Sequence, residues 1–167
     1  MARVDMDFEV DGEKQLSRFF EATGSDLKDF SDIFKAWGKD FRERQHSVFR
    51  SEGAFEGRQR WQELSPAYKD WKDIYYPGAN ILERTRRLWD SLVSEGDPDH
   101  VYSVSKDEFK IGTSVPYAIF HQRGQGVPQR KVIQLTEPQK TDWTQICRKE
   151  VWENAQKNAN IYDIRKR

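Results

Sequence analysis

Cysteine is nearly missing from this chain: Cys147 is alone among 167 residues, so no internal disulfide can form. That usage suits a reducing compartment. Histidine is scarce as well. His46, His100 and His121 lie far apart and none begins a ligand-spaced pair, so the sequence offers no metal centre. No apolar run approaches the roughly 18 residues that a membrane span requires. The opening Met1-Ala2-Arg3-Val4-Asp5 has no apolar core behind a basic end, which argues against a secretory signal. Net charge is absent too: 28 basic and 28 acidic side chains cancel to zero. A pI near 6.8 argues against a dedicated duplex binder, whose domain pI usually exceeds roughly 9.

Catalytic signatures are lacking in the same way. There is no phosphate loop of the Gly-x-x-x-x-Gly-Lys-Ser/Thr type. Gly124-Gln125-Gly126 lacks the preceding strand and third glycine of a dinucleotide loop. Cys147 falls on the apolar stripe of a helix, where a small buried hydrophobe is the better reading than a nucleophile. Asp97 and Asp99 flank Pro98 and read as a turn. No enzyme activity, cofactor or metal is expected. What the chain does have is aromatic residues, at 13% with six Trp, set against 34% charged residues and a mean hydropathy of −0.95. Each aromatic can bury roughly 150–250 Å². One domain over residues 1–167 is expected, with part of its apolar surface left for partners.

Periodicity organises the chain. Val4, Met6, Phe8 and Val10 alternate with Arg3, Asp5, Asp7 and Glu9, the pattern of a half-buried strand. A short helix through Leu16, Phe19 and Phe20 is predicted to stop at Gly24. Ser25 reads as the N-cap of a long amphipathic helix carrying Leu27, Phe30, Ile33, Phe34, Trp37, Phe41, Val48 and Phe49, with Gly38 marking a bend. Residues 51–60 read as a loop. A short helix starts at Ser65-Pro66, and Tyr76-Pro77-Gly78 breaks it. Asn80 and Glu83 have the spacing of a capping pair for a helix bearing Ile81, Leu82, Leu88, Trp89, Leu92 and Val93.

Residues 101–104 and 109–111 flank a four-residue connection and predict a β-hairpin, with a third, weaker strand at 132–135. Tyr117 to Gln122 reads as a short helix closed by Gly124, with Gly112 and Gly124 allowing tight or positive-φ turns. Thr136 and Pro138 open a final helix, followed by a basic tail over about 160–167. The fold class is α+β: a small, mainly antiparallel sheet packed by a long N-terminal helix and a C-terminal helix.

The arginine cluster Arg84, Arg86 and Arg87, with Arg58 and Arg60 upstream, admits three readings: a solvated helix face, a phosphate contact, or a protein interface. The phosphate reading makes the chain a nucleic-acid-binding accessory protein. A hydrolase built on acidic residues and His121 is a third, weaker alternative.

Four blocks carry a resemblance. Trp61-Gln62-Glu63-Leu64-Ser65-Pro66-Ala67-Tyr68 comes first, and Ile81-Leu82-Glu83-Arg84-Thr85-Arg86-Arg87-Leu88 second. Tyr117-Ala118-Ile119-Phe120-His121-Gln122-Arg123-Gly124 and Val127-Pro128-Gln129-Arg130 complete the set. Their order resembles the virion morphogenesis, or tail completion, family of tailed bacteriophages, over roughly residues 61–140. Arg86 stands where that family usually has glycine, and Lys131 where it often has a second proline. The resemblance implies a structural protein of the virion neck, made in the host cytoplasm, with no catalysis.

It further implies a homo-oligomeric ring, with six subunits as the expectation, through which DNA passes without sequence-specific binding. Partners would be head-closure or connector proteins and the tail terminator or tail tube protein, and no membrane is involved. Interface candidates are Trp61, Tyr68, Trp71, Arg84, Arg86, Arg87, Tyr117, His121, Arg123, Arg130 and Lys131. A plain core role competes for Trp61, Tyr68 and Trp71, and a local hydrogen bond for His121.

The zero net charge also hides an alternation. Residues 1–41 carry net −4, 42–87 net +3, 88–122 net −4 and 123–167 net +5. Opposite patches on identical subunits would favour pairing and register in a head-to-tail ring.

Overall fold

A computed structural model describes residues 29–164. The predicted strand at 3–10, the helix through Leu16–Phe20, the Ser25 cap and the basic end of the tail lie outside the described residues. The architecture is α+β, with five α-helices and one antiparallel hairpin among the described residues.

The long amphipathic helix is α1, Ser31–Arg50, whose buried stripe holds Ile33, Phe34, Phe41, Val48 and Phe49. Its first turn is held by the Asp29 carboxylate, which accepts from the Ser31 N–H at 2.8 Å. Gly38 does not break it. A Cβ there would stand 2.7 Å from Cε2 of Tyr102, so glycine is needed because the sheet lies directly on the helix at that point.

A 3₁₀ turn, Phe55–Gly57, leads to α2, Pro66–Tyr75, with its proline in the first turn. The predicted capping pair fails. Residues 79–86 are turns, in which the Asn80 carbonyl accepts from the Glu83 N–H, and α3 starts late, at Arg87–Val93. Ile81 is still buried in the core, and its N–H donates to the Glu52 carboxylate at 3.0 Å.

Strands β1, His100–Val104, and β2, Phe109–Thr113, pair antiparallel, Val104 facing Phe109 and His100 facing Thr113. Ser105–Glu108 is the four-residue connection. Gly112 sits inside β2 without a positive φ, contrary to expectation, while Gly124 takes φ 71° as the C-cap of α4, Ala118–Arg123. The last helix is α5, Glu137–Ile164, and the Thr136 hydroxyl accepts from the Gln139 N–H at its start.

The third strand is absent among the described residues. Residues 132–135 join no ladder there, and the Gln122 side chain bonds the backbone of the first two instead. Its Oε1 accepts from the N–H of Val132 and Ile133, and its Nε2 donates to the Ile133 carbonyl at 2.6 Å. One amide side chain substitutes for a neighbouring strand.

The core lies where α1 meets α3, α5 and the inner face of the hairpin. Phe49, Leu88 and Leu92 are fully buried. Trp37 stacks on Trp143 at 4.8 Å, and Phe109 caps the pair and stacks on Phe34 at 5.7 Å. Arg44 binds Asp40, Glu56 and Asp142, tying α1 to the 3₁₀ turn and to α5. Part of the charge alternation is consumed inside the subunit, since Arg42 pairs with Glu95 and Arg87 with Asp99.

Candidate functional site

The four sequence blocks converge on one groove of about 800 Å³. The first supplies Leu64, Pro66 and Tyr68, with Lys72 one turn further along α2. The second supplies Leu82, Arg84 and Thr85, the third Tyr117 and His121, and the fourth Val127, Pro128 and Arg130. Segments some 60 residues apart are therefore brought to one surface. Side chains, not a ladder, hold them there.

Trp61 is the anchor. It is buried, sets its ring edge-on to Phe49, and donates from Nε1 to the Lys131 carbonyl at 3.1 Å. Arg58 donates to the same carbonyl at 2.6 Å. Arg130 returns the tie: its guanidinium, 5% exposed, donates to the Gln62 carbonyl at 2.8 and 3.0 Å and to the Glu63 carbonyl. Burial holds the Arg130 pKa below its ordinary value. A guanidinium bonded only to carbonyl oxygens leaves its positive charge uncancelled toward the groove.

Lys72 is similar. Its ammonium is buried and donates to the Asn80 carbonyl at 2.5 Å. Burial lowers its pKa, against the opposing pull of Glu52 and Glu83.

His121 lies half-buried between these groups. No imidazole hydrogen bond forms among the described residues, contrary to the expected local one, and its buried Nδ1 has no partner there. The ring instead stands edge-to-face with Tyr117, four residues earlier, at 6.3 Å. Its backbone carbonyl accepts from the Arg130 N–H at 2.8 Å. Burial first, and Arg130 second, lower its pKa and so disfavour the charged ring.

The three clustered arginines go separate ways. Arg84 is exposed on the groove. Arg86 lays its guanidinium 4.1 Å over the Trp89 ring, and Arg87 holds Asp99 through two bonds of 2.6 and 3.1 Å. Arg60 pairs with Glu52 at 2.5 Å. Arg123 and Lys131 are exposed at the two ends of the loop after α4.

Beside the groove, α2 presents an aromatic ridge. Trp71 stacks with Tyr68 at 5.5 Å and leans on Tyr75 at 5.3 Å. Tyr75 is 64% exposed and the neighbouring Ile74 73%. Tyr117 and Phe120 add apolar surface from α4. Ridge and groove together offer apolar contact area with a basic lining, which suits capture of another chain.

The residues missed by the sequence reading were Gln122, Lys72, Leu82 and Pro128. All four lie in or beside the quoted blocks, so block membership was the available signal. Among the described residues no three His, Cys, Asp or Glu side chains converge on a common point. Nor is any described helix long and apolar enough to cross a membrane. Cys147 is 1% exposed, and burial pushes its thiol up to about 12, which suits a packing role.

No curated protein and no solved structure shows significant similarity to the chain. The sequence model of the phage virion morphogenesis family matches residues 11–157, well beyond the span of the four blocks. The chain belongs to that family, and its role is that of a phage virion structural and assembly protein.

Proposed function

We propose that this protein is a tail-completion or head-to-tail joining component of the virion neck, working as a ring of identical subunits. The observation that carries the reading is the exposed Tyr68–Trp71–Tyr75 ridge beside the groove. Contiguous aromatics left in solvent by a folded domain mark surfaces that meet other proteins. Arg84, on the groove beside them, supplies part of the polar, charged rim that such interfaces have.

In this reading the ridge of one subunit meets a different patch on its neighbour, and a rotation that closes gives a ring, for which six subunits is the expectation. The outer faces of that ring bind a head-closure or connector protein on one side and a tail terminator or tail tube protein on the other. DNA passes through without base-specific contact. The nucleic-acid-binding alternative loses support, because Arg86 and Arg87 are engaged with Trp89 and Asp99.

Light scattering on the full chain tests the reading. The wild type is expected to assemble, and Trp71→Ala with Tyr75→Ala to stay monomeric. Trp71 is 38% and Tyr75 64% exposed, so circular dichroism on the variant should show the helical content of the wild type. A wild type that remains monomeric and is missing from purified virions refutes it.

A further inference from the structure

The groove holds cations that no carboxylate answers directly. Arg130 and Lys72 both line it and are buried, and each donates to main-chain carbonyls. They are close enough to repel each other, and the Arg130 charge also reaches His121 on the same wall. Glu52, Glu83 and Asp73 attract Lys72 through space, but Glu52 is itself paired with Arg60. Among the described residues none of Lys72, Arg84 and Arg130 forms an ion pair. Two buried cations in one cleft, with Arg84 exposed at its margin, cost free energy that an entering anion recovers.

Much of the remaining wall is apolar. Leu64, Leu82, Val127 and Pro128 are half-buried there, with Tyr68 and Tyr117 beside them. Leu82 takes φ 67°. A bulky residue in that left-handed conformation is strained, and such strain concentrates at ligand sites. Among the described residues the one carboxylate on the wall is Glu63, which is exposed.

We propose that the groove binds an extended segment of a partner protein in which a single Asp or Glu stands between apolar residues. The carboxylate is taken by Arg130 and Lys72, with Arg84 adding its charge from the rim. Donors remain for it. Lys72 spends one of its three N–H groups on Asn80, and the bonds of Arg130 run from Nε and Nη2 only. The apolar neighbours of the acid pack on Leu64, Leu82, Val127 and Pro128. A pair formed between such sheltered groups is stronger than one in open water. Nucleic acid fits less well, since a row of phosphates would run past Glu63 and lay its sugars on leucine and proline. The inference deepens the assembly reading above and rests on it in one respect, that the occupant is another virion protein.

Selection of random decapeptides on the immobilised full chain, followed by NMR mapping of the enriched peptides, tests the proposal. Enriched sequences are expected to carry Asp or Glu next to Leu, Ile, Val or Phe. The amides of Leu64, Leu82 and Val127 should shift on binding. Changing the peptide's acid to its amide should weaken binding about tenfold, the value of one hydrogen bond to a charged group. Arg84→Gln, an exposed change, should weaken the acidic peptide about threefold and spare the amide peptide. No enrichment, enrichment of basic or wholly apolar peptides, or equal affinity for acid and amide overturns the proposal. So do shifts confined to the Trp71–Tyr75 ridge, or an oligothymidylate that displaces the peptide at about 150 mM salt. The result is separable from ring assembly. A ring-forming chain that selects no acidic peptide loses the groove inference alone, and a monomer that selects one loses the ring alone.

Discussion

Replacing Gln122 by alanine removes three hydrogen bonds with a single change. Its Oε1 accepts from Val132 at 2.9 Å and from Ile133 at 3.1 Å, and its Nε2 donates to the Ile133 carbonyl. Val132 and Ile133 are 2% and 4% exposed, so water does not readily take over the freed groups. Each bond is worth about 1 kcal/mol net, and each buried group left bare costs about 1–3 kcal/mol. The expected loss is about 3–5 kcal/mol. For a domain of this size that lowers Tm by about 10 °C. Thermal and urea unfolding followed by circular dichroism reads it directly. Gln122→Met restores side-chain length without polar atoms, and should recover little of the loss. A Tm within about 2 °C of wild type for the alanine variant, or full recovery with methionine, would show that residues 132–133 do not depend on this amide.

Three further outcomes follow from the geometry. Arg86 has φ 58°, a left-handed conformation costing a non-glycine residue about 1–2 kcal/mol. Arg86→Gly should therefore be more stable than Arg86→Ala by about 1 kcal/mol in urea denaturation, reversing the usual helical preference for alanine. Equal stability would remove the strain argument. Arg130→Met should cost about 2–3 kcal/mol, because the Gln62 carbonyl loses its donors; a neutral change on thermal unfolding would contradict that role. Asp99 titrates below its ordinary value, chiefly through its hydrogen bond from Arg87. A depressed carboxyl pKa stabilises the fold above the unfolded value, near 3.9, and the gain is lost as pH falls through the folded one. Asp99→Asn should thus be less stable than wild type at pH 7, with the gap closing below about pH 4. A gap that is constant with pH would exclude the ion pair as its source.

The elements that follow one simple period were legible in the sequence. The buried stripe of α1, the alternation of the hairpin strands and the Gly124 cap all rest on local geometry. What escaped was settled between distant segments. Residues 132–135 have the composition of a strand, but the backbone groups of Val132 and Ile133 are bonded by the Gln122 amide rather than by a neighbouring strand. Asn80 and Glu83 have capping spacing, yet Leu82 and Arg86 take left-handed backbone conformations, φ 67° and 58°, and the helix begins only at Arg87. Gly38 looked like a bend because the partner that needs it, Tyr102, lies 64 positions later. The groove was readable only as a set of blocks. Nothing in their spacing told that Trp61 and Arg130 would hold them together from beneath while Tyr68, Arg84 and Tyr117 faced outward.

The seam under the groove has a consequence for how such a surface can change. Residues 58–63 and 130–132 are joined by Arg58, Trp61 and Arg130, each reaching a carbonyl on the opposite segment. A ladder fixes the spacing of two segments at one value whatever their side chains are. A seam of individual stitches sets it by side-chain length, and each stitch can be lengthened, shortened or dropped alone. The helical frame then survives while the calibre of the groove is recut, one substitution at a time.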